Sequence, residues 1–378
     1  RRFVKNLLFI SIFLSIAYLQ EFRLYALNTQ IQGGNQVSIV AIEDNTVLKR
    51  NGTIVESDLN SGEIYTGSIS QYDIFSANNP IFGGTSNGGT VSLTPEALQG
   101  TVFSIGNYRR NPMTLDIFCV SSQDCQVSIY HPDGDVIEPN ISSGSGASLV
   151  LSGNISDNKG IKVISNNPIL LNAGENNDDV TIVPPDATEF IGIASTWLVM
   201  SHAGTGNLSV TESASDGSVV TKSVPATPSA YESEGGYSSY FSGPGQRLVA
   251  DAPFGAHAMA DGNGSSATPF LSPSNLSTKF AVPYSCTFLA FASKEPGSVT
   301  IGSTQYTLTG SEEENEIYKY TSGSVSAGTV VTSTVPVWAV IQHSSTGDEQ
   351  LFYGNISGTN EDYDCAGVLN GNAVEDEC

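Results

Sequence analysis

Ser165-Asn166-Asn167-Pro168-Ile169-Leu170-Leu171 is the stretch on which the architecture turns, because the chain contains four versions of it. The others are Ala77-Asn78-Asn79-Pro80-Ile81-Phe82, Ala250-Asp251-Ala252-Pro253-Phe254-Gly255-Ala256 and Ser333-Thr334-Val335-Pro336-Val337-Trp338-Ala339-Val340. The four prolines stand 88, 85 and 83 residues apart. A second landmark, Pro95, Pro184 and Pro273, keeps spacings of 89 and 89. Two independent landmarks with one period mark a repeat of about 85 residues. Proline lacks an N–H and has a fixed φ, and it forces the residue before it to be extended. Each version therefore reads as an entry into an apolar strand.

Working outward, each proline is followed by a polar turn, at 85–89, 175–179, 261–265 and 344–348. Apolar segments follow the second landmark at 102–105, 190–193 and 280–282. Earlier in each unit lies a tight-turn signal: Asn51-Gly52, Asp133-Gly134, Asp216-Gly217 and Gly302. Asn-Gly and Asp-Gly suit hairpins whose central residues need positive φ. Turns every 10 residues or so predict six or seven short strands per unit, enough for a small sandwich. Only 14% of residues are charged, and Ser, Thr, Gly and Asn dominate, which disfavours long helices.

The predicted fold is all-β, with four tandem units forming β-sandwich-like bodies; a closed propeller-like ring is the alternative arrangement. The units are placed at 28–110, 111–196, 197–283 and 284–358. An irregular insertion at 225–245 carries Tyr231, Tyr237, Tyr240 and Phe241, and a Cys- and Asp-rich tail begins at 359. Tyr237 and Tyr240 are candidate ligand contacts, since tyrosine serves interfaces well.

Residues 1–27 form a separate element. Arg1, Arg2 and Lys5 precede an apolar run at 7–19, as in a secretory signal. The run would span about 20 Å as a helix, against a ~30 Å bilayer core. Read as retained, it is a hydrophobic anchor or assembly helix that places the bulk of the chain outside.

Lys plus Arg number 15 against 38 Asp plus Glu, a net charge of −23. Such a chain repels phosphate backbones, so nucleic acid is not an expected partner. Cys119 and Cys125 flank a short polar turn between two strand-like segments, and a hairpin would bring them to disulfide distance. Cys286 lies in an apolar strand and reads as a buried small hydrophobe. Seven Asn-x-Ser/Thr sequons, at Asn51, Asn140, Asn154, Asn207, Asn263, Asn275 and Asn355, are candidate glycan acceptors.

No catalytic centre stands out. Gly84-Thr85-Ser86-Asn87-Gly88 fits a nucleophile-elbow pattern but occupies the polar turn of the repeat, without a following helix. His131, His202, His257 and His343 lack metal-ligand spacing. Trp197 and Trp338 sit in apolar strands and read as core.

Strand, Gly turn, strand, then Ser165-Asn-Asn-Pro-Ile169 and Pro184-Pro185 resembles the β-repeat of IgGFc-binding-protein N-terminal regions, over residues 37–353. That resemblance implies secretion and binding, not catalysis. Asp364-Cys365 through Cys378 resembles a thrombospondin-type-3-like Cys/Asp/Gly repeat of marine microbial and viral surface proteins. Asp364, Asn370, Asn372 and Asp376 supply the hard oxygen ligands that calcium requires.

Together these features predict a non-enzymatic surface or virion structural protein. It would be anchored in a membrane or embedded in an assembly by its N-terminal helix, with the repeats as an adhesive or spacer ectodomain. A glycan-binding module using the Tyr-rich insertion and a subunit of an extracellular filament are the alternatives. Expected partners are other surface or capsid proteins, glycans and the membrane, within a homo- or hetero-oligomeric assembly; the expected location is extracellular, on a cell or virion.

Overall fold

The computed structural model describes residues 21–27, 36–85, 92–106, 113–151, 159–175, 178–234, 241–259, 267–311, 317–345, 347 and 349–356. The strands fall into four sets. The first holds β1 (Phe22–Tyr25), β2 (Gln36–Ala41), β3 (Thr46–Arg50), β4 (Thr53–Leu59), β5 (Ile64–Ser68), β6 (Ile74–Ala77), β7 (Ile81–Thr85) and β8 (Thr94–Pro95). The second holds β9 (Gly100–Gly106), β10 (Met113–Cys119), β11 (Cys125–Tyr130), β12 (Val136–Ile137), β13 (Asn140–Ile141), β14 (Gly146–Leu151), β15 (Gly160–Glu175) and β16 (Asp178–Val183). The third holds β17 (Ala187–Ile193), β18 (Trp197–Ser201), β19 (Asn207–Ala214), β20 (Val219–Pro225), β21 (Tyr231–Glu234), β22 (Gly245–Met259) and β23 (Ala267–Pro269). The fourth holds β24 (Ser277–Ala281), β25 (Cys286–Ser293), β26 (Ser298–Ile301), β27 (Thr304–Thr307), β28 (Thr309–Ser311), β29 (Ile317–Thr321), β30 (Val330–His343) and β31 (Glu349–Leu351).

One long strand is the hub of each set. The first half of β15 pairs with β9 and β11, and its second half pairs with β10 and β16. In the third set β22 does the same, with β17 and β19 first and β18 and β23 after. In the fourth, β30 pairs with β24 and β26, then with β25 and β31. In the first set the hub is broken in two: β6 pairs with β1 and β3, and β7 pairs with β2. The halves always change partners at the repeated proline, and the ladders beside β15, β22 and β30 shift register there.

The cause lies in the backbone. Proline has no donor for a ladder, so the strand is free to leave one sheet and join the facing one. That departure costs the neighbouring strand a partner, and the residue two before the proline supplies a substitute. The Val47 N–H donates to Asn78 Oδ1 at 2.7 Å, the Gln126 N–H to Asn166 Oδ1 at 2.8 Å, and the Ser298 N–H to Thr334 Oγ1 at 2.9 Å. The second asparagine ties down the preceding turn: Asn79 Nδ2 donates to the Asp44 carbonyl and Asn167 Nδ2 to the Asp124 carbonyl. Each half-strand then contributes to one core. In the second unit Phe103, Val127 and Val163 from one layer pack with Leu115, Ile169 and Leu171 from the other.

Each unit meets the next in chain order, unit four returns to unit one to close a ring, and units two and four also touch through β16 and β31. Units one and two share Tyr25 against Phe118, with ring centroids 4.9 Å apart, and Thr94 Oγ1 donating to Asn172 Oδ1. Units two and three are joined at Ser104, whose N–H and hydroxyl both donate to Asp186. Trp338 of unit four packs on Phe270 of unit three and donates from Nε1 to the Pro269 carbonyl at 2.9 Å. Unit four closes on unit one: Phe82 meets Phe352 and Tyr353 at 5.0 and 4.6 Å, and Ser92 donates to the Leu351 carbonyl. Lys279 and Glu43 add an ion pair at 2.6 Å across that seam.

Three sequence expectations change here. The N-terminal helix at 1–27 is corrected: residues 1–20 lie outside the described residues, and Phe22–Tyr25 is strand β1, paired with β6 and β8. Among the described residues no helix is long and apolar enough to cross a membrane, and only two 3-10 turns occur. The expected helix does not extend over 22–25, and the function and partner expectations that rested on an anchoring or embedding helix reaching residue 27 are corrected with it. The physical reason lies in the sequence, where Glu21-Phe22-Arg23-Leu24 alternates polar and apolar side chains. Phe22 and Arg23 are half-buried and exposed, whereas Leu24 and Tyr25 are buried, as at the rim of a sandwich. Second, the units begin one strand earlier than the proline spacing places them, since β9, β17 and β24 pair with the hub strand that follows them. Third, the insertion at 225–245 is not irregular throughout, because Tyr231–Glu234 pairs with β18.

Removing the substitute acceptor tests the pivot. Asn78→Ala and Asn166→Ala each remove the acceptor of an exposed strand N–H and should destabilise the protein by about 0.5–1.5 kcal/mol in chemical denaturation.

Candidate functional site

The ring seams bring together side chains that are remote in sequence, and the seam between units one and four opens into a cleft of about 200 Å³. Its walls include Phe22, Pro95, Tyr353 and Ile356; its rim carries Glu21, Arg23 and Glu96. Strand β1 places Arg23 beside Ser76 of β6, and the 3-10 turn after Pro95 carries Glu96. Arg23 lies 3.2 Å from Glu21 and 3.5 Å from Glu96. Glu21 also receives Lys49 at 3.1 Å and the Ser76 hydroxyl at 3.0 Å. Burial works to raise the Glu21 carboxyl, but the bonds from Lys49, Ser76 and Arg23 outweigh it and hold it below the usual carboxylate range. A glycosidase pair needs one carboxyl held protonated near neutral pH. Glu21 is held ionised, so it is not the protonated member of such a pair.

Several other perturbed groups are buried or half-buried. Asp186, between units two and three, accepts from the Ser104 N–H and hydroxyl, both at 2.6 Å. Burial pushes its carboxyl up to about 7, against the pull of the Ser104 bonds. A side chain at Gly255 would meet the Ser104 carbonyl and lie 3.3 Å from Asp186 Oδ1, so the backbone there packs closely on this buried carboxyl. Burial lowers His257 to about 3 and keeps it neutral. Cys286 is buried, with its thiol pushed up to about 11, which leaves it protonated and unreactive. Burial lowers Lys319 to about 8; its ammonium donates to the carbonyls of Phe241, Ser242 and Gly243 and pins the end of the insertion.

Cys119 and Cys125 are disulfide-bonded, with Cα atoms 5.8 Å apart, linking the end of β10 to the start of β11. The candidate calcium ligands Asp364, Asn370, Asn372 and Asp376 lie outside the described residues, as do Tyr237, Tyr240, Asn154 and Asn263. Gly84 and Thr85 belong to β7, while residues 86–91 are outside the described set. The four histidines are distributed over three units, and among the described residues no three metal-ligating side chains gather. Trp197 packs on the core of unit two, and Trp338 fills a seam. Sequence reasoning missed Glu21, Arg23, Glu96, Asp186 and Lys319. Only Glu21 and Arg23 had a local signal, the alternation leading into β1.

No protein-family model and no curated protein matches the chain. Among solved structures, an anti-sigma factor domain-containing protein from Clostridium clariflavum is similar over 86% of this chain and 99% of its own, at 10% identity and a TM-score of 0.17. A score that low carries no statement about fold or function. None of these comparisons bears on the two motif resemblances.

Asp186 yields a pH prediction. Its folded value of about 7 lies above the ordinary aspartate value of about 4, so the folded state holds the extra proton between them. The stability it contributes is present in full below about pH 4 and is lost as pH rises through 7. The thermal-midpoint advantage of the wild type over Asp186→Asn should therefore shrink from pH 4 to pH 8.

Proposed function

We propose that this chain is a non-enzymatic, extracytoplasmic protein whose closed β-ring is a rigid framework for binding. The observation that carries the reading is the Cys119–Cys125 disulfide, buried within a unit. Structural disulfides persist in oxidising compartments and are rare where thiols are kept reduced. The chemistry of the described side chains supports the non-catalytic half. The buried thiol and the buried imidazole are held in unreactive forms, and the cleft carboxylate Glu21 is neutralised by cations. The surplus of acidic residues, 38 against 15 basic, favours cationic partners over phosphate-rich ones.

Non-reducing peptide mapping of protein from its native source tests the location. The Cys119 and Cys125 peptides should be linked; two free thiols would contradict it. A panel of glycoside, ester and peptide substrates tests the absence of catalysis, and saturable turnover of any of them would overturn it. Cys119→Ser should cost about 2 kcal/mol of stability, the chain-entropy value for so short a loop.

A further inference from the structure

The asparagines of five of the seven sequons lie among the described residues, and their carboxamides are used in different ways. Asn355 is half-buried beside β24. Its Oδ1 accepts the N–H groups of Thr278 and Lys279, both at 3.0 Å, while Nδ2 donates to Thr278 Oγ1. Asn51 sits at φ 49° in the β3–β4 turn. Its Oδ1 accepts the Ile74 N–H at 2.9 Å, and its Nδ2 is held 2.7 Å from Asp73 Oδ1. Asp73 is itself buried and paired with Arg50 at 2.5 Å. In both asparagines the nitrogen that would carry a sugar faces protein, and the oxygen closes a strand junction.

Asn140 differs in its contacts rather than in its exposure, which it shares with Asn51. It is exposed on β13, a two-residue edge strand paired with β11, and its neighbour Ile141 is the residue that points into the core. Asn207 is exposed at the start of β19, where Nδ2 makes a single surface bond, 3.0 Å, to Ser223 Oγ that water can replace. Asn275, half-buried and donating to Ser272 Oγ, lies between the two classes.

We infer that Asn140 and Asn207 are sites of N-glycan attachment, and that Asn51 and Asn355 are structural asparagines whose sequons stay bare. The inference rests on the extracytoplasmic reading above. A linked N-acetylglucosamine needs Nδ2 in solvent. At Asn140 and Asn207 it adds a solvated group to an exposed strand. At Asn355 it would displace a carboxamide that satisfies two backbone donors, and a buried donor without a partner is destabilising.

The full chain, secreted from a glycosylating eukaryotic host behind a cleavable signal, tests this. Enzymatic glycan release in heavy-oxygen water followed by peptide mass spectrometry reads occupancy at each asparagine. Asn140 and Asn207 should be occupied in most molecules, and Asn51 and Asn355 in essentially none. Glycan on Asn51 or Asn355 of the folded protein, or none on Asn140 and Asn207, overturns the assignment. The same chain made without glycans gives a second measurement. Asn51→Gln and Asn355→Gln should lower the thermal midpoint, while Asn140→Gln and Asn207→Gln leave it in place; equal effects would contradict the division. Free Cys119 and Cys125 thiols in native material would instead remove the extracytoplasmic reading, and the ranking measured in the host would stand.

Discussion

A strand that must serve two sheets has to give up hydrogen bonds where it crosses between them, and the rest of this structure depends on how that loss is met. In an ordinary sandwich a tight turn separates one layer from the next. Here the hub strands β15, β22 and β30 run through the crossing unbroken, and in unit one the same crossing splits the hub into β6 and β7. Proline at the crossing removes one donor from the problem. The orphan donor left on the neighbouring strand is taken by Asn78, Asn166 or Thr334. These bonds lie at the exposed surface, where water competes for the donor, so each contributes about as much as a typical hydrogen bond.

The pivot also explains the ring. Because the hub joins both layers, the first strand of each unit is fixed relative to the second layer and can pack outward on the next unit. β1 brings Tyr25 to Phe118, and β9 brings Gly106 so close to Val199 that a Cβ there would lie 2.0 Å from it. That approach leaves no room for a Cβ at 106 unless Val199 moves. The closing seam uses a mixture of aromatic packing at Phe82, Phe352 and Tyr353 with the Lys279–Glu43 ion pair. Aromatic packing there removes apolar surface from water, whereas a partly exposed ion pair contributes little on its own. The aromatic cluster is accordingly the stronger part of the closure.

Much of this was legible in the sequence because proline and glycine report local backbone needs directly. The four Pro80-type landmarks lie at the four crossings, and Asn51 and Gly52 both adopt positive φ in the β3–β4 hairpin. Strand β1 was obscured because an apolar run at 7–19 dominates its neighbourhood, hiding the alternation of Phe22–Tyr25. The role of the two asparagines before the proline was also hidden, since an Asn-Asn pair looks like an ordinary turn until the neighbouring strand is placed. The seam groups were beyond reach for a different reason. Ser104 meets Asp186 and Lys319 meets Phe241 only after the units pack, Arg23 meets Glu96 only after unit one itself folds, and no local pattern encodes a distance of 73 to 82 residues.

Amide hydrogen exchange at the crossings tests the pivot most directly. The N–H groups of Val47, Gln126 and Ser298 have side-chain acceptors in place of ladder partners. They should exchange as slowly as the ladder amides of β3, β11 and β26 beside them, and Asn166→Ala should speed exchange at Gln126 while leaving Val47 and Ser298 slow. Fast exchange at all three in the wild-type protein would contradict the account.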